Sequence, residues 1–379
     1  MGPGRRVTRA NATALHRARY TSGMTVIDAD THVDECEATW QSLEGGPHAR
    51  YIPATLTIDP RDAGRMGIHV RSSRRWLVEG RLQTRATRDA NHHPARERRE
   101  LEDVPGRVQH MDEMGVDVQI VFPTFFIRYD TSNPEAELAL TTAYNHWLAE
   151  RCACSNGRLR WAAVLPLMQP AKAVEELRWA KDHGACGIFK RGFDLNRSVS
   201  DPHFFPVYEE ASALDMPICI HTGHPGSDPG GDRGVPIMAA FTAIVSAGLA
   251  TKFPGLRFGL IEAGASWVPY SVSQLRAQER TAQERGTVQR PAPDLDLVTD
   301  LFRANRLFVT VDATDDIAYL LDFGLEDSLM IGTDYSHSDI SANAGALAEV
   351  RLWARQGRIS EAVAHKILQD NPRAFYSLH

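Results

Sequence analysis

Residues 116–167 contain the strand, helix and strand that decide the fold: VDVQIVFPT at 116–124, EAELALTTAYNHWLAERCACSN at 135–156 and LRWAAVLPL at 159–167. The two short runs are rich in β-branched and apolar residues, whereas the segment between them repeats apolar residues at helical spacing. Two parallel strands joined by a helix form one βαβ unit. The same succession continues on both sides of this stretch.

Eight such apolar runs occur along the chain, and longer amphipathic segments separate them. The runs cover residues 26–30, 116–124, 159–167, 185–191, 217–223, 256–264, 306–314 and 329–335. Helical patterns cover residues 135–156, 171–183, 206–215, 237–253, 342–356 and 360–376. Strands that alternate with helices in this way predict an α/β chain folded as a parallel (β/α)8 TIM barrel, which needs about 250 residues.

The 379-residue chain is longer than such a barrel requires, and the surplus lies mainly in two places. Residues 1–23 are basic and lack the apolar middle of a signal peptide, so we expect a flexible N-terminal extension on a cytoplasmic protein. Residues 24–379 form the predicted metal-dependent barrel domain. An insertion at about residues 41–105 separates its first two strands.

The insertion is rich in arginine. Residues 61–99 hold eleven arginines and four acidic residues, a local net charge of +7 in a chain whose net charge is −6. Because the loop after the first strand of a barrel opens on the active-site face, we expect a lid whose arginines attract an anionic substrate. Arg71, Arg74 and Arg75 are the candidate substrate-binding residues. A solvated, salt-bridged surface is the simpler alternative.

Composition excludes several classes of partner. The net charge of −6, and Trp76 as the single aromatic ring of the basic segment, argue against nucleic acid. No run approaches the roughly 18 consecutive apolar residues of a membrane span. The five cysteines are odd in number and lack CxxC spacing, so neither a disulfide framework nor a structural zinc site is expected. A small anionic molecule is the expected partner, and a homodimer is compatible with the sequence.

Metal-ligating side chains cluster where predicted strands end, which is the face on which such barrels carry their active sites. Asp30 and His32 end the first strand, and Glu35 follows shortly after. Residues two apart on a strand share a face, so Asp30 and His32 can hold one ion together. The other candidates at the ends of the fifth, sixth and eighth strands are His221, His224, Glu262, Asp334 and His337.

Five motifs carry a family resemblance: MDEMGVDVQIVFPT at 111–124, HTG at 221–223, IEAGASWVP at 261–269, IGTDYSH at 331–337 and ILQDNPRAFYSL at 367–378. In this order the chain resembles the amidohydrolase superfamily, in the branch that includes aminocarboxymuconate-semialdehyde decarboxylase and the resorcylate decarboxylases. The resemblance covers roughly residues 24–378. It implies a divalent metal held by Asp30, His32, His221 and Asp334.

Two positions depart from the family pattern. The first-strand pair is Asp-x-His rather than His-x-His, and Glu262 stands where the decarboxylase relatives place a histidine. Carboxylates favour harder ions such as manganese and iron, although zinc also accepts mixed histidine and carboxylate ligands. The candidates outnumber the ligands that one ion needs. We therefore expect one or two divalent ions of Fe, Mn or Zn, with Glu262 and Glu35 as additional metal ligands.

Three functions are compatible with this set of residues. The first is metal-assisted hydrolysis or non-oxidative decarboxylation of an anionic, partly apolar small molecule, with Glu262, His337 and His224 as catalytic residues. The second is a non-heme iron oxygenase, with one or two irons, that hydroxylates an apolar substrate. The third is a non-catalytic binding barrel. The resemblance favours the first, and it also leaves Lys190 and Arg191 as a solvated pair rather than a metal bridge.

Overall fold

The computed structural model describes residues 24–59, 61–62, 74–84, 94–223, 234–286, 298–337 and 341–378. Within these ranges the chain forms strands of two to seven residues. In chain order they are β1 (Ile27–Val33), β2 (Ala54–Thr57), β3 (Arg74–Val78), β4 (Arg81–Thr84), β5 (Val118–Pro123), β6 (Leu159–Val164), β7 (Ala185–Arg191), β8 (Phe193–Asp194), β9 (Arg197–Ser198), β10 (Ile218–His221), β11 (Phe258–Ile261), β12 (Leu307–Val311) and β13 (Leu329–Ile331).

An eight-stranded sheet forms the centre of the molecule, in the order β1-β5-β6-β7-β10-β11-β12-β13. All seven pairings between neighbouring strands in it are parallel. The chain after β13 returns to β1, where Thr31 and Tyr335 form a parallel bridge and the Asp334 amide donates to the Asp30 carbonyl at 2.9 Å. The sheet therefore closes almost completely. This architecture confirms the predicted (β/α)8 barrel, and each of the eight predicted runs contributes one of its strands.

Helices form the outer layer of the barrel. They are α1 (Arg96–Arg99), α2 (Val104–Met114), α3 (Pro134–Ala153), α4 (Pro170–Asp182), α5 (Phe205–Ala213), α6 (Gly234–Ser246), α7 (Leu249–Lys252), α8 (Val268–Glu284), α9 (Val298–Asn305), α10 (Ile317–Asp322), α11 (Ala346–Arg355), α12 (Glu361–His365) and α13 (Asn371–Tyr376). Two predicted helices are interrupted. The 237–253 pattern breaks at Gly248, whose φ of 62° ends regular helix, and the 360–376 pattern contains a π-helical turn at Lys366–Asp370.

Local sequence explains where the helix next to the site begins. Asn133 precedes α3, and its side chain accepts hydrogen bonds from the amides of Glu135 and Ala136. Pro134 then supplies a residue that needs no amide partner in the first turn. The chain between the end of β5 and this start is short, so the residues after β5 stay at the barrel mouth.

The C-terminal helix, α13, packs against the barrel core on the side away from the ends of the strands. The Tyr376 hydroxyl donates to the Ala29 carbonyl at 2.7 Å, and a side chain at Gly259 would overlap the Phe375 ring. Both aromatic rings are buried. This packing leaves the opposite end of the barrel, where the strands finish, as the open face.

The described part of the insertion packs at that open face. Strands β2, β3 and β4 form an antiparallel sheet. The Gln83 side chain donates to the Phe125 carbonyl at 2.6 Å, and the Tyr129 hydroxyl donates to Glu79 at 3.0 Å. The described part of the insertion thus contacts the segment that follows β5, and its role as a lid stays a prediction. Residues 1–23 lie outside the described residues, and the predicted domain limits stay a prediction.

Among the helices of the described ranges, none is both long enough and apolar enough to span a membrane.

Candidate metal centre

Four buried side chains converge where three barrel strands end. Asp30 and His32 come from β1, His221 is the last residue of β10, and Glu262 follows β11. One ligand atom from each of the four lies within 4.8 Å of the others. At most 4% of any of the four residues is exposed. Oxygen and imidazole nitrogen atoms in this arrangement form a set that divalent ions accept.

The two histidines are held so that the same nitrogen of each ring faces inward. The His32 Nδ1 lies 2.9 Å from the Pro123 carbonyl oxygen, and the His221 Nδ1 lies 3.1 Å from the Thr222 carbonyl oxygen. Because a carbonyl only accepts, each Nδ1 carries a proton and donates it. The two Nε2 atoms lie 3.2 Å apart. In the neutral rings these are two lone pairs pointing at each other, an arrangement that a cation stabilises.

The Asp30 carboxylate faces the same point. Its Oδ1 lies 3.5 Å from the His32 Nε2 and 3.6 Å from the His221 Nε2. This atom is buried and has no hydrogen-bond donor among the described residues. Buried carboxylate oxygens nearly always have a partner, so this oxygen and the two nitrogens fit a divalent ion between them.

A second overlapping group contains Asp334 and His337. Together with His32 and Glu262 they again place one ligand atom each within 4.8 Å of the others. The Asp334 Oδ1 lies 3.4 Å from the His32 Nε2. The His337 Nδ1 lies 2.7 Å from that same oxygen, and its ring stacks on His32 with centroids 3.8 Å apart. All four ligands implied by the resemblance thus lie in one region, with Glu262 belonging to both groups.

Electrostatics at the cluster favour a positive charge. Burial lowers the pKa of His221, but Glu262 and Asp30 outweigh it and raise that pKa to about 9. Burial and the neighbouring His337 lower the pKa of His32 to about 4. For Asp30, burial acts to raise the pKa, yet the neighbouring His221 and His32 rings bring it below its usual value. The Asp30 carboxylate is therefore ionised and attracts a cation.

Hydroxyl groups hold the two later carboxylates. The Thr222 hydroxyl donates to Glu262 Oε2 at 2.8 Å. The Ser341 Oγ lies 3.1 Å from Glu262 Oε1 and 2.9 Å from Asp334 Oδ2, so its single proton serves one of them at a time. Thr222 lies within the HTG motif, but neither it nor Ser341 was a candidate site residue, because a serine or threonine after a strand carries no metal-ligand pattern of its own.

The backbone around these carboxylates is strained. Glu262, Asp334 and Ser336 have φ values of 64°, 49° and 83°, a region that residues with side chains seldom adopt. Such positions cost roughly 1–3 kcal/mol each and persist where the surrounding structure enforces them. At Gly332 a side chain would overlap Asp30, which explains the glycine before the eighth-strand aspartate. The strain aims both carboxylates into the mouth of the barrel.

Glu35, predicted as a further ligand, lies outside both groups. Its Oε1 accepts from the Thr124 amide at 3.0 Å and its Oε2 accepts from the Phe125 amide at 2.8 Å. Burial raises the pKa of this carboxyl to about 8. The structure thus gives Glu35 two backbone partners instead of the metal cluster, because it lies past the end of β1, where the strand no longer dictates direction.

The remaining candidates divide into those that the structure describes and those that it does not. Arg71 and His224 lie outside the described residues. The Arg74 Nη1 lies 3.3 Å from Glu100 Oε1, and the buried Arg75 donates through Nη1 to the Arg74 carbonyl at 3.0 Å. Both side chains make internal contacts, and their contact with substrate stays a prediction.

Lys190 and Arg191 correct an expectation. They are buried rather than solvated, and both pair with Asp194: the Lys190 Nζ at 2.8 Å and the Arg191 Nε at 2.7 Å. The Lys190 Nζ also lies 3.9 Å from the centroid of the Phe204 ring. Lys190 is therefore engaged away from the cluster, which agrees with the expectation that it does not bridge two metals.

Comparisons with known proteins agree with the fold and the cluster. The family model described as amidohydrolase matches residues 27–378. A gamma-resorcylate decarboxylase of Polaromonas sp. (strain JS666 / ATCC BAA-500) is 28% identical over 301 residues, which cover 72% of this chain and 87% of that protein. A 2-amino-3-carboxymuconate-6-semialdehyde decarboxylase of Dictyostelium discoideum is 23% identical over 288 residues, covering 72% of this chain and 76% of the relative.

Solved structures share the barrel. An amidohydrolase from Mycobacterium avium subsp. paratuberculosis K-10 superposes with a TM-score of 0.73 at 18% identity, over 94% of this chain and 100% of that one. A 5-carboxyvanillate decarboxylase from Novosphingobium aromaticivorans DSM 12444, complexed with manganese and 4-hydroxy-3-methoxy-5-nitrobenzoic acid, has a TM-score of 0.66 at 19% identity, over 94% and 97% of the two chains. Neither these structures nor the curated relatives support the iron oxygenase alternative.

Proposed function

This chain belongs to the amidohydrolase family, and we propose that it is a metal-dependent decarboxylase that releases CO2 from a small aromatic carboxylic acid. The sequence-based expectation of a metal-dependent hydrolase or decarboxylase in this family is confirmed. The choice of decarboxylation, and of an aromatic acid, is our proposal. Its support is that the two curated relatives above are decarboxylases and that one solved neighbour contains manganese with an aromatic acid.

One observation carries the metal requirement. The inward-facing Nε2 atoms of His32 and His221 and the Asp30 Oδ1 surround one buried point. We assign these three atoms as ligands, with Glu262 or Asp334 completing the set. A divalent ion bound there would withdraw electron density from a substrate oxygen. Manganese is our first choice of ion, because the site is rich in carboxylates.

The proposed reaction also needs a proton. The bond between the ring and the carboxylate carbon breaks, its electron pair stays on the ring carbon, a proton joins that carbon and CO2 leaves. The His337 Nδ1 lies 2.7 Å from the Asp334 Oδ1, in the second group of the cluster. We assign this pair to the proton: the protonated His337 ring gives its Nδ1 proton by way of Asp334 Oδ1 to the carbon, which leaves the ring neutral until it takes up another proton from solvent.

Hydrolysis is the second candidate, since it uses the same ligands with a bound water as nucleophile. Two observations bear on this choice. The Lys190 side chain is committed to Asp194 and Phe204, so it does not serve as the bridge between two ions. The curated relatives reported above are decarboxylases rather than hydrolases. Both favour one ion and decarboxylation.

The experiment measures CO2 and its partner product directly. Protein reconstituted with Mn²⁺ is incubated in D2O with 2,6-dihydroxybenzoate, 5-carboxyvanillate and a panel of related acids. We expect CO2 in equal amount to a decarboxylated product that carries one deuterium at the former carboxylate position. Metal-loaded protein that releases no CO2 from any acid, yet cleaves esters or amides, would identify a hydrolase instead.

Three finer statements accompany the proposal. The arginines of the insertion recruit the anionic substrate, which a larger KM for Arg74→Gln at low salt would support. The protein works in the cytoplasm, and it forms a homodimer. Cell fractionation and light scattering of the purified chain test the last two.

A further inference from the structure

The segment 123–125 at the end of β5 contributes no ligand, yet it contacts three parts of the site. The Pro123 carbonyl accepts from His32 Nδ1, as described above. The Thr124 Oγ1 lies 3.0 Å from His337 Nε2. The amides of Thr124 and Phe125 both donate to Glu35. One tripeptide therefore touches two histidines of the cluster and one buried carboxyl.

His337 has a defined orientation because both of its ring nitrogens are engaged. Its Nδ1 lies 2.7 Å from a carboxylate oxygen of Asp334 and carries the proton of the neutral ring, so the Nε2 is an acceptor. The Thr124 hydroxyl is then the donor at Nε2. The ring also stacks on His32 with an interplanar angle of 20°. A rotation of His337 would therefore disturb Asp334 on one side and His32 on the other.

Glu35 holds Thr124 in place through the Thr124 backbone amide. This carboxyl is 2% exposed and uses one oxygen for each of two successive amides. Because Glu35 lies just after β1, its two hydrogen bonds join the end of β1 to the end of β5. The contacts run in one line, from Glu35 through Thr124 to His337 and then to Asp334. The first two links are hydrogen bonds of 3.0 Å, and the last is a nitrogen–oxygen contact of 2.7 Å.

We propose that Thr124, clamped by Glu35, is a positioning residue that sets the orientation of His337 and so holds the metal site ready to bind its ion. This inference rests on the proposed function only for the presence of a metal. Hydrogen-bonding partners behind a metal site typically change metal affinity by 10–100-fold when removed. The inference therefore concerns the affinity for the ion and does not depend on which reaction follows.

The test compares two substitutions that differ by one hydroxyl. Thr124→Val keeps the shape of the side chain and removes the donor, whereas Thr124→Ser keeps the donor and removes the methyl group. The dissociation constant for Mn²⁺ is measured by competition with a fluorescent chelator at fixed pH. We expect Thr124→Val to bind Mn²⁺ about tenfold more weakly. Thr124→Ser should stay within about twofold of the unchanged protein.

A matched control removes a hydroxyl elsewhere. Thr242 is half-buried like Thr124, and its hydroxyl bonds only the Met238 carbonyl within α6 among the described contacts. Thr242→Val should leave the Mn²⁺ affinity unchanged. If Thr124→Val fails to fold, Thr124→Ala removes the same donor with less crowding and is measured in its place.

Two results would overturn the proposal. The first is unchanged Mn²⁺ affinity in Thr124→Val, and the second is equal weakening by Thr124→Val and Thr124→Ser. Glu35→Gln tests the clamp separately, because its amide group cannot accept from both backbone donors. We expect weaker Mn²⁺ binding there too, and unchanged binding would remove Glu35 from the inference. Failure of the decarboxylase proposal would appear in the CO2 assay and would leave these affinities as they are.

Discussion

Two buried aspartates at the same barrel mouth have opposite surroundings. Asp194, just after β7, has one oxygen 2.7 Å from the Arg191 Nε and the other 2.8 Å from the Lys190 Nζ. Asp30, on β1, has an oxygen with no hydrogen-bond donor among the described residues, and that oxygen faces the Nε2 atoms of two histidines. A buried carboxylate whose oxygens are both paired within the protein is structural. A buried carboxylate oxygen that faces two histidine nitrogens and has no donor within the protein is one that a cation completes.

The largest expected effect follows from removing a ligand on the Asp30 side of the mouth. His221→Ala should still fold, since the substitution removes only one side chain at the end of β10. Its metal content should fall below about a tenth of an ion per chain. Activity should drop by at least about 10³-fold with it. Metal analysis and circular dichroism check both statements. His203→Ala, a histidine away from the cluster, is the control, and stoichiometric metal in His221→Ala would contradict the assignment.

Removing the Asp194 carboxylate should lower the stability of the fold and leave the metal in place. Asp194→Ala leaves Lys190 and Arg191 buried without their shared carboxylate, which typically costs about 3–5 kcal/mol. Urea unfolding should report this loss, while the folded protein retains its full metal content. Asp201→Ala, which removes a more exposed carboxylate, should lower the free energy of unfolding far less. Loss of metal in Asp194→Ala would erase the distinction between the two aspartates.

Glu262→Gln is expected to have an intermediate effect. The change keeps an oxygen that accepts from Thr222 but removes the charge that faces His221. Metal affinity should fall by about 10–100-fold, and turnover should fall in parallel. Titration with Mn²⁺ measures the first and the CO2 assay the second. Glu326→Gln, on the surface beside Lys366, should match the unchanged protein, and full affinity in Glu262→Gln would exclude a role in the centre.

The smallest effect concerns Glu137, near Asp194. Burial raises the pKa of this carboxyl to about 7. The folded protein therefore keeps a proton there that the unfolded chain releases near pH 4.5. The stability that this bound proton contributes is fully present below pH 4.5 and is lost as the pH rises through about 7. The Tm advantage of the unchanged protein over Glu137→Gln should therefore shrink by roughly 2 °C between pH 5 and pH 8. A constant difference would show that the carboxyl does not titrate in this range.

The fold and the clustering of the candidate ligands were predictable because regular strands fix the direction of their side chains. The strand 185–191 matches β7 in full, and the two-residue spacing of Asp30 and His32 put both in one cluster. Glu35 shows where such reasoning stops, since its chain position is close but its direction is set by two amides after β5. Contacts between loops, such as that of Thr124 with His337, depend on packing over 213 positions of sequence and leave no local pattern.

We infer above all that one cation binds between the Asp30 Oδ1 and the Nε2 atoms of His32 and His221. The most direct test is anomalous diffraction at the manganese absorption edge from crystals grown with Mn²⁺. We predict one peak at roughly 2.0–2.4 Å from Asp30 Oδ1, His32 Nε2 and His221 Nε2, with Glu262 or Asp334 as a further ligand. Full-occupancy manganese elsewhere, with these three atoms left without an ion, would contradict it.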